Sequence, residues 1–250
     1  MIKLKKNDGK VYLRFMHLGD IITSFNILYN LAIQEGIKIG ISGENPEIYS
    51  KLFKIFNYNG RIYLSDYFHP WKPELNTVCF DHYLPYSYLN ICFGLSTLKK
   101  MKLKKFILPD TFYSIKEKKD FLCFHFLCRS VEARKSFTNN DVRNAFGTFE
   151  KKKSICIGGT ETKTYIEDRE CFFSDLINLS KKLMESSGFF GIDSGMAHLA
   201  GTLKVDGDII IQAKYDDFFN NVKNSFSYMY PTFKMHSKKS LEQKLQSLKG

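Results

Sequence analysis

The sequence predicts an α/β protein built as two small doubly wound domains. Three observations carry this expectation. Strand-like and helix-like segments alternate along the chain, the pattern of parallel sheets with helices on both faces. The same strand–helix plan starts twice, with a change between residues 106 and 120. The 250 residues are 44% hydrophobic and 15% aromatic, which supplies apolar surface for two cores.

The first domain opens with β-prone Val11 to Phe15. Ile21, Ile22, Phe25, Leu28, Leu31 and Ala32 then recur at helical spacing over 21–33, and Gly36 is placed to stop the helix. A strand is expected over 37–41 and a helix over 46–56, with Pro46 in its first turn. Short strands over 61–64 and 77–80 precede a helix over 86–98. A lysine run follows: Lys99, Lys100, Lys102, Lys104 and Lys105.

The second domain opens with a strand over 121–127. A helix capped by Thr138 or Asn139 runs to Phe149, and a strand over 154–157 ends in Gly158-Gly159. A helix over 173–184, a strand over 189–192, a helix from Gly195 and a strand over 209–212 come next. A polar helix, Leu241 to Leu248, closes the chain. The expected domains are residues 1–115 and 116–237, with 238–250 as a C-terminal helix placed to pack back on the first domain.

Composition excludes several classes. Abundant aromatics rule out a collagenous or disordered chain. No apolar run approaches the ~20 residues that span a bilayer. Met1 to Lys6 is basic without a following apolar stretch, so no signal peptide is expected. The six cysteines form no CxxC pair and sit largely in apolar runs, which reads as reduced thiols in a cytoplasmic protein. Lys+Arg 37 against Asp+Glu 26 gives a net charge of +11. A field of that sign concentrates anionic partners, although a lysine-rich solvated face produces the same count.

In open α/β sheets, ligands bind beyond the carboxyl ends of the strands, so residues just after strands are the candidates. The strongest candidate is Phe189 to Gly201. A strand runs through Asp193-Ser194-Gly195 straight into a helix whose free N–H groups and dipole form a cradle for a diphosphate. Ser194 adds a hydroxyl, and His198 lies one helical turn on, on the same face. A capped helix accounts for Asp193-Ser194 but not for the Gly-x-x-His beside it.

The second candidate is Leu18-Gly19-Asp20, after Arg14 and His17. Asp20 at a strand end is placed to take a proton from an attacking hydroxyl. It equally fits the N-cap of the helix that follows, and position alone favours the cap. The third is Ser130 to Phe137, where Arg134 and Lys135 can neutralise a leaving diphosphate; a solvated loop is the plain alternative. The fourth is Gly158-Gly159-Thr160-Glu161, where an acid after a strand can meet ribose hydroxyls.

These four motifs, in this order, resemble those of the heptosyltransferase family of glycosyltransferases, which have the GT-B fold. Leu18-Gly19-Asp20-Ile21, with Arg14 upstream, is similar to the family's Gly-Asp pair opening a helix. Lys135-Ser136-Phe137 is similar to its Lys-x-aromatic loop, with Phe137 for the usual Trp. Gly158-Gly159-Thr160-Glu161 approximates its Gly-Gly-x-x-acid element. Asp193-Ser194-Gly195-Met196-Ala197-His198 matches its Asp-Ser/Thr-Gly-x-x-His motif in full. The likeness extends over most of the second domain and up to about residue 35 of the first.

The resemblance implies two Rossmann-like domains facing a cleft and an inverting, metal-independent sugar transfer. It needs no cofactor; the nucleotide-diphosphate sugar is a co-substrate. Asp20 would be the general base. Lys135, Ser194 and Gly195 would hold the donor diphosphate, Glu161 would meet the nucleoside ribose, and His198 would support the Asp193 loop or the phosphates. Ser130, Arg134, Gly159 and Asp193, beside these motifs, are further donor-binding candidates. Arg14 and His17 fall on the acceptor side. Asp81-His82, after a strand of the first domain, could line that side as well, and a surface pair accounts for them equally.

The family's acceptor is the lipopolysaccharide core, at the inner membrane face, where the Lys99–Lys105 run could hold the enzyme. DNA carrying hydroxymethylated bases is a second acceptor that suits the same lysines. A non-catalytic module that binds a nucleotide ligand is a third reading. Among lesser features, Asp206-Gly207-Asp208 reads as a turn before a strand, and His125, inside an apolar strand, as a satisfied core histidine.

Overall fold

The computed structural model describes residues 9–13, 17–66, 77–80, 106–115, 117–126, 153–158, 170–211 and 227–237. The chain divides into two compact units, Met1–Ser114 and Ile115–Gly250.

The first unit contains β1 (Gly9–Leu13), α1 (Leu18–Glu35), β2 (Ile39–Gly43), α2 (Pro46–Ile55), β3 (Phe56–Asn57), β4 (Ile62–Leu64), β5 (Thr77–Phe80) and β6 (Asp110–Thr111). Four of the strands form a parallel sheet in the order β4-β2-β1-β5. The order reverses at β1 and β5, so the chain after β1 leaves at a topological switch point.

Helix α1 is buried from Ile21 through Asn30. Phe25, fully buried, packs its ring against Tyr49, Phe53 and Tyr58 at centroid distances of 5.6, 5.6 and 5.9 Å. Burying such a side chain contributes about 2–3 kcal/mol. The helix ends as expected at Gly36, whose φ of 65° is left-handed and whose N–H closes back on Ala32 and Ile33. Ile37 is still spent on that closure, donating to the Ala32 carbonyl at 3.1 Å. Strand β2 therefore pairs only from Ile39 rather than from Ile37.

The end of β1 is held firmly. The Leu13 carbonyl accepts from the Glu44 N–H at 3.1 Å and from the buried Tyr49 hydroxyl at 3.3 Å. A side chain at Gly43 would run into that same carbonyl, so the two strands meet here backbone to backbone.

The second unit contains β7 (Phe121–His125), β8 (Lys153–Gly158), β9 (Glu170–Phe173), α3 (Leu176–Glu185), β10 (Gly188–Ile192), α4 (Gly195–Thr202), β11 (Gly207–Ile211) and β12 (Phe233–Ser237). All six strands are parallel, in the order β12-β11-β10-β7-β8-β9. Numbered within the unit, this is the 3-2-1-4-5-6 order of Rossmann folds. Its switch point lies between β7 and β10.

Several expectations are corrected. Helix α1 starts at Leu18, so Asp20 lies inside its first turn instead of preceding it. A helix was expected from Phe173; the chain instead extends through β9 and turns at Asp175. The Asp175 carboxylate caps α3 by accepting from Ile177 N–H at 2.8 Å and Asn178 N–H at 3.2 Å. Strand β12 and the antiparallel pair β3–β6 were not foreseen. Asp206-Gly207-Asp208 is not a turn: Asp208 lies within β11 and meets His236 of β12 at 2.6 Å. The expected helices over 86–98, 139–149 and 241–248 lie outside the described residues.

Candidate functional site

The centre of the candidate site is the turn between β10 and α4. Gly191 makes the strand fit: a Cβ there would collide with the His125 carbonyl on β7, its register partner. The two central strands thus run close together up to the switch point. Beyond β10, Ser194 takes an extended backbone (φ −150°, ψ 169°) and becomes the N-cap of α4. Its Oγ accepts from the Ala197 N–H at 3.4 Å. Helix geometry leaves the N–H groups of Gly195 and Met196 without an intrahelical acceptor. Those donors, and the positive end of the helix, are what an oxyanion would meet.

His198 is reached one turn later, its N–H donating to the Ser194 carbonyl at 3.1 Å. Its side chain is buried. Nε2 lies 3.5 Å from Asp193 Oδ1, and Nδ1 lies 3.0 Å from the Tyr230 hydroxyl. A carboxylate only accepts, so this geometry suits a ring with its proton on Nε2 and the tyrosine donating to Nδ1. Tyr230 is itself fully buried, with its ring seated on Gly201. His198 therefore braces the Asp193 turn from behind.

The cap of α4 has a further partner. His125, the last residue of β7, places Nδ1 at 3.2 Å from Ser194 Oγ. The expected strand ran on to Leu127; pairing stops at His125, which puts the ring at the strand's carboxyl rim instead of mid-strand. Burial holds its pKa down to about 4, so the ring is neutral near pH 7. His125 is thus a satisfied histidine, as expected, and the group that satisfies it is the hydroxyl of the α4 cap. The signal available in the sequence was its place near the end of a predicted strand. Tyr230 left no such signal, being far from His198 in the chain.

In the first unit, His17 is the exposed N-cap residue of α1 and Asp20 is its N3 residue. The Asp20 carboxylate accepts from the His17 N–H at 3.2 Å, one arm of a capping box. Asp20 is half-buried, at the switch point of its own sheet. Arg14, Asp81, His82, Ser130, Arg134, Lys135, Gly159 and Glu161 lie outside the described residues. Among those described, no group of His, Cys, Asp and Glu is arranged to hold a metal ion, and no helix is long and apolar enough to cross a membrane.

No protein-family model matches the chain, and no curated protein sequence matches it. Solved structures do. A glycosyl transferase family 9 protein from Veillonella parvula is similar over 96% of this chain and 89% of its own, at 12% identity and a TM-score of 0.61. The E. coli heptosyltransferase WaaC, solved with ADP, is similar over 95% and 99%, at 9% identity and a TM-score of 0.58. The iron-containing glycosyltransferase TibC of enterotoxigenic E. coli matches at 15% identity and a TM-score of 0.58, over 84% of this chain and 59% of TibC. At such identities the likeness speaks for the fold. With its two parallel-sheet units, the chain is an α/β protein with the GT-B fold of the heptosyltransferases and family 9 glycosyltransferases.

Proposed function

We propose that the protein is a glycosyltransferase that moves a sugar from a nucleoside-diphosphate donor to a hydroxyl of an anionic acceptor, with inversion and without a metal ion. One observation carries the reading: an Asp-Ser-Gly-x-x-His turn stands at the switch point of a Rossmann-ordered sheet, in a chain with the fold of glycosyltransferases.

In this reading the Gly195 and Met196 N–H groups and Ser194 hold the donor diphosphate, with Arg134 and Lys135 adding charge and Glu161 at the ribose. Asp20 takes the proton of the acceptor hydroxyl. The oxygen attacks the anomeric carbon from the face opposite the diphosphate, the bond from that carbon to the diphosphate oxygen breaks, and the diphosphate leaves with the electron pair. Oriented donors and cations stabilise that leaving group. The capping bond to His17 holds the Asp20 carboxylate in one orientation, and a fixed carboxylate is what a general base requires.

For the acceptor we favour a phosphorylated lipopolysaccharide core. The net charge of +11 suits an anionic glycolipid, and one structural neighbour is an E. coli lipopolysaccharide heptosyltransferase, similar over 96% of this chain at 9% identity. The test is a thermal-shift screen of nucleoside diphosphates and their sugars, followed by product analysis with a core acceptor. Binding of a nucleoside diphosphate raises Tm by linkage. Asp20→Asn should keep that shift and lose turnover by at least about a hundredfold. Absence of any nucleotide-dependent shift would overturn the reading.

A further inference from the structure

Ser194 has commitments before any ligand arrives. Its Oγ accepts from the Ala197 N–H and lies 3.2 Å from Nδ1 of His125. A serine hydroxyl has one proton and two lone pairs. One lone pair is taken by Ala197. The histidine faces what is left, and its tautomer decides how residue 194 greets an anion. If Nδ1 is bare, the serine gives its proton to the ring and shows an arriving phosphate only oxygen. If Nδ1 carries the ring proton, it fills the second lone pair, and the serine proton is left to point outward.

The geometry points to His125 as the residue that makes Ser194 a hydrogen-bond donor to the diphosphate, by donating its own Nδ1–H to Ser194 Oγ. This rests on the nucleotide-sugar reading above. His125 is a positioning residue: it acts through the serine.

Two further features support it. The ring is held on a strand rather than a loop. His125 pairs with Gly191, and the absence of a side chain at Gly191 lets the β7 backbone close on β10 beside the turn that carries Ser194. Burial also keeps the ring neutral near pH 7, so one ring nitrogen is bare and the other protonated; the choice is between two tautomers. An anion at the start of α4 rewards the Nδ1–H form, because only that form leaves a proton for it.

The experiment is calorimetric titration of the full chain with ADP, UDP, GDP and CDP, continued with the best binder. The variants are His125→Leu, His125→Asn, Ser194→Ala and the double variant His125→Leu/Ser194→Ala, each first checked for a cooperative melt. His125→Leu should weaken binding about tenfold. His125→Asn, whose amide N–H can stand near the Nδ1 position, should restore affinity to within about threefold of the native chain. In the Ser194→Ala background, His125→Leu should cost nothing more, because the hydroxyl it acts through is gone. If His125→Leu does not fold, His125→Phe, which keeps the ring volume, takes its place. Equal losses in both serine backgrounds, or no loss in the native one, would overturn the role of His125 and leave the nucleotide-sugar reading standing. If the native chain binds none of the four nucleotides, that reading fails and takes this one with it.

Discussion

The Tyr230 hydroxyl lies 3.0 Å from Nδ1 of His198, and the opposite nitrogen of the same ring lies 3.5 Å from Asp193. A buried tyrosine just before β12 is thereby tied to the turn after β10. Tyr230→Phe keeps the ring and its packing but strips the donor from a buried nitrogen. It should lower stability by about 1–2 kcal/mol, read from the midpoint of urea unfolding. An unchanged midpoint would mean that the hydrogen bond does not form.

Gly201 sets two effects against each other. In a helix, Gly→Ala gains about 1 kcal/mol in propensity. Here the new Cβ would stand 2.5 Å from the Tyr230 ring, which is fully buried and tethered to His198. The ring has nowhere to yield, and overpacking of this kind costs about 1–3 kcal/mol. Gly201→Ala should therefore be destabilising on balance, and a raised Tm would refute the contact.

In the first unit, Asn30 is buried on α1 and acts as a surrogate strand for residue 107. Its Oδ1 accepts from the Ile107 N–H at 2.7 Å and its Nδ2 donates to the Ile107 carbonyl at 2.8 Å. Nδ2 also donates to the Asn26 carbonyl at 2.7 Å. Asn30→Leu strands both backbone groups and should cost about 2–4 kcal/mol. Asn30→Asp keeps the acceptor but sets a carboxylate against two carbonyls, so it should be no milder at pH 7. Equilibrium denaturation of the two variants ranks them.

Stability should fall in acid partly through His125. Its pKa is lowered from 6.5 to about 4 by burial, so the unfolded chain binds the proton more readily. The stabilisation is fully present above pH 6.5, declines as pH falls, and is gone below about pH 4. A fall from 6.5 to about 4 corresponds to at most about 3–4 kcal/mol. Denaturation midpoints measured between pH 4 and 7.5 should slope more steeply for the native chain than for His125→Asn. Parallel slopes would show that the imidazole titrates as it does in the unfolded chain.

Much of the local design is legible in the residues. Gly36 announces the end of α1 because only a residue free of Cβ strain enters the left-handed region cheaply. Pro46 marks the first turn of α2, and the apolar spacing of α1 is plain. The Asp193–His198 turn could be placed between a strand and a helix from pattern alone. Short elements escaped. Strand β9 offered only Cys171-Phe172-Phe173 before the Asp175 cap, which is too little period to tell a strand from a helix start. Asp20 fits an N-cap by its place before the apolar run, but His17 takes that position and Asp20, three residues on, closes the capping box.

The alternation of strands and helices, the parallel order of the two main sheets and the helix start at Asp193-Ser194-Gly195 are readable in the residues, because periodicity and capping act between residues near in the chain. That β10 lies beside β7, that His125 thereby faces Ser194, and that Tyr230 braces His198 came from the packed fold alone. Those relations join residues brought together by sheet order and burial, which no local pattern encodes.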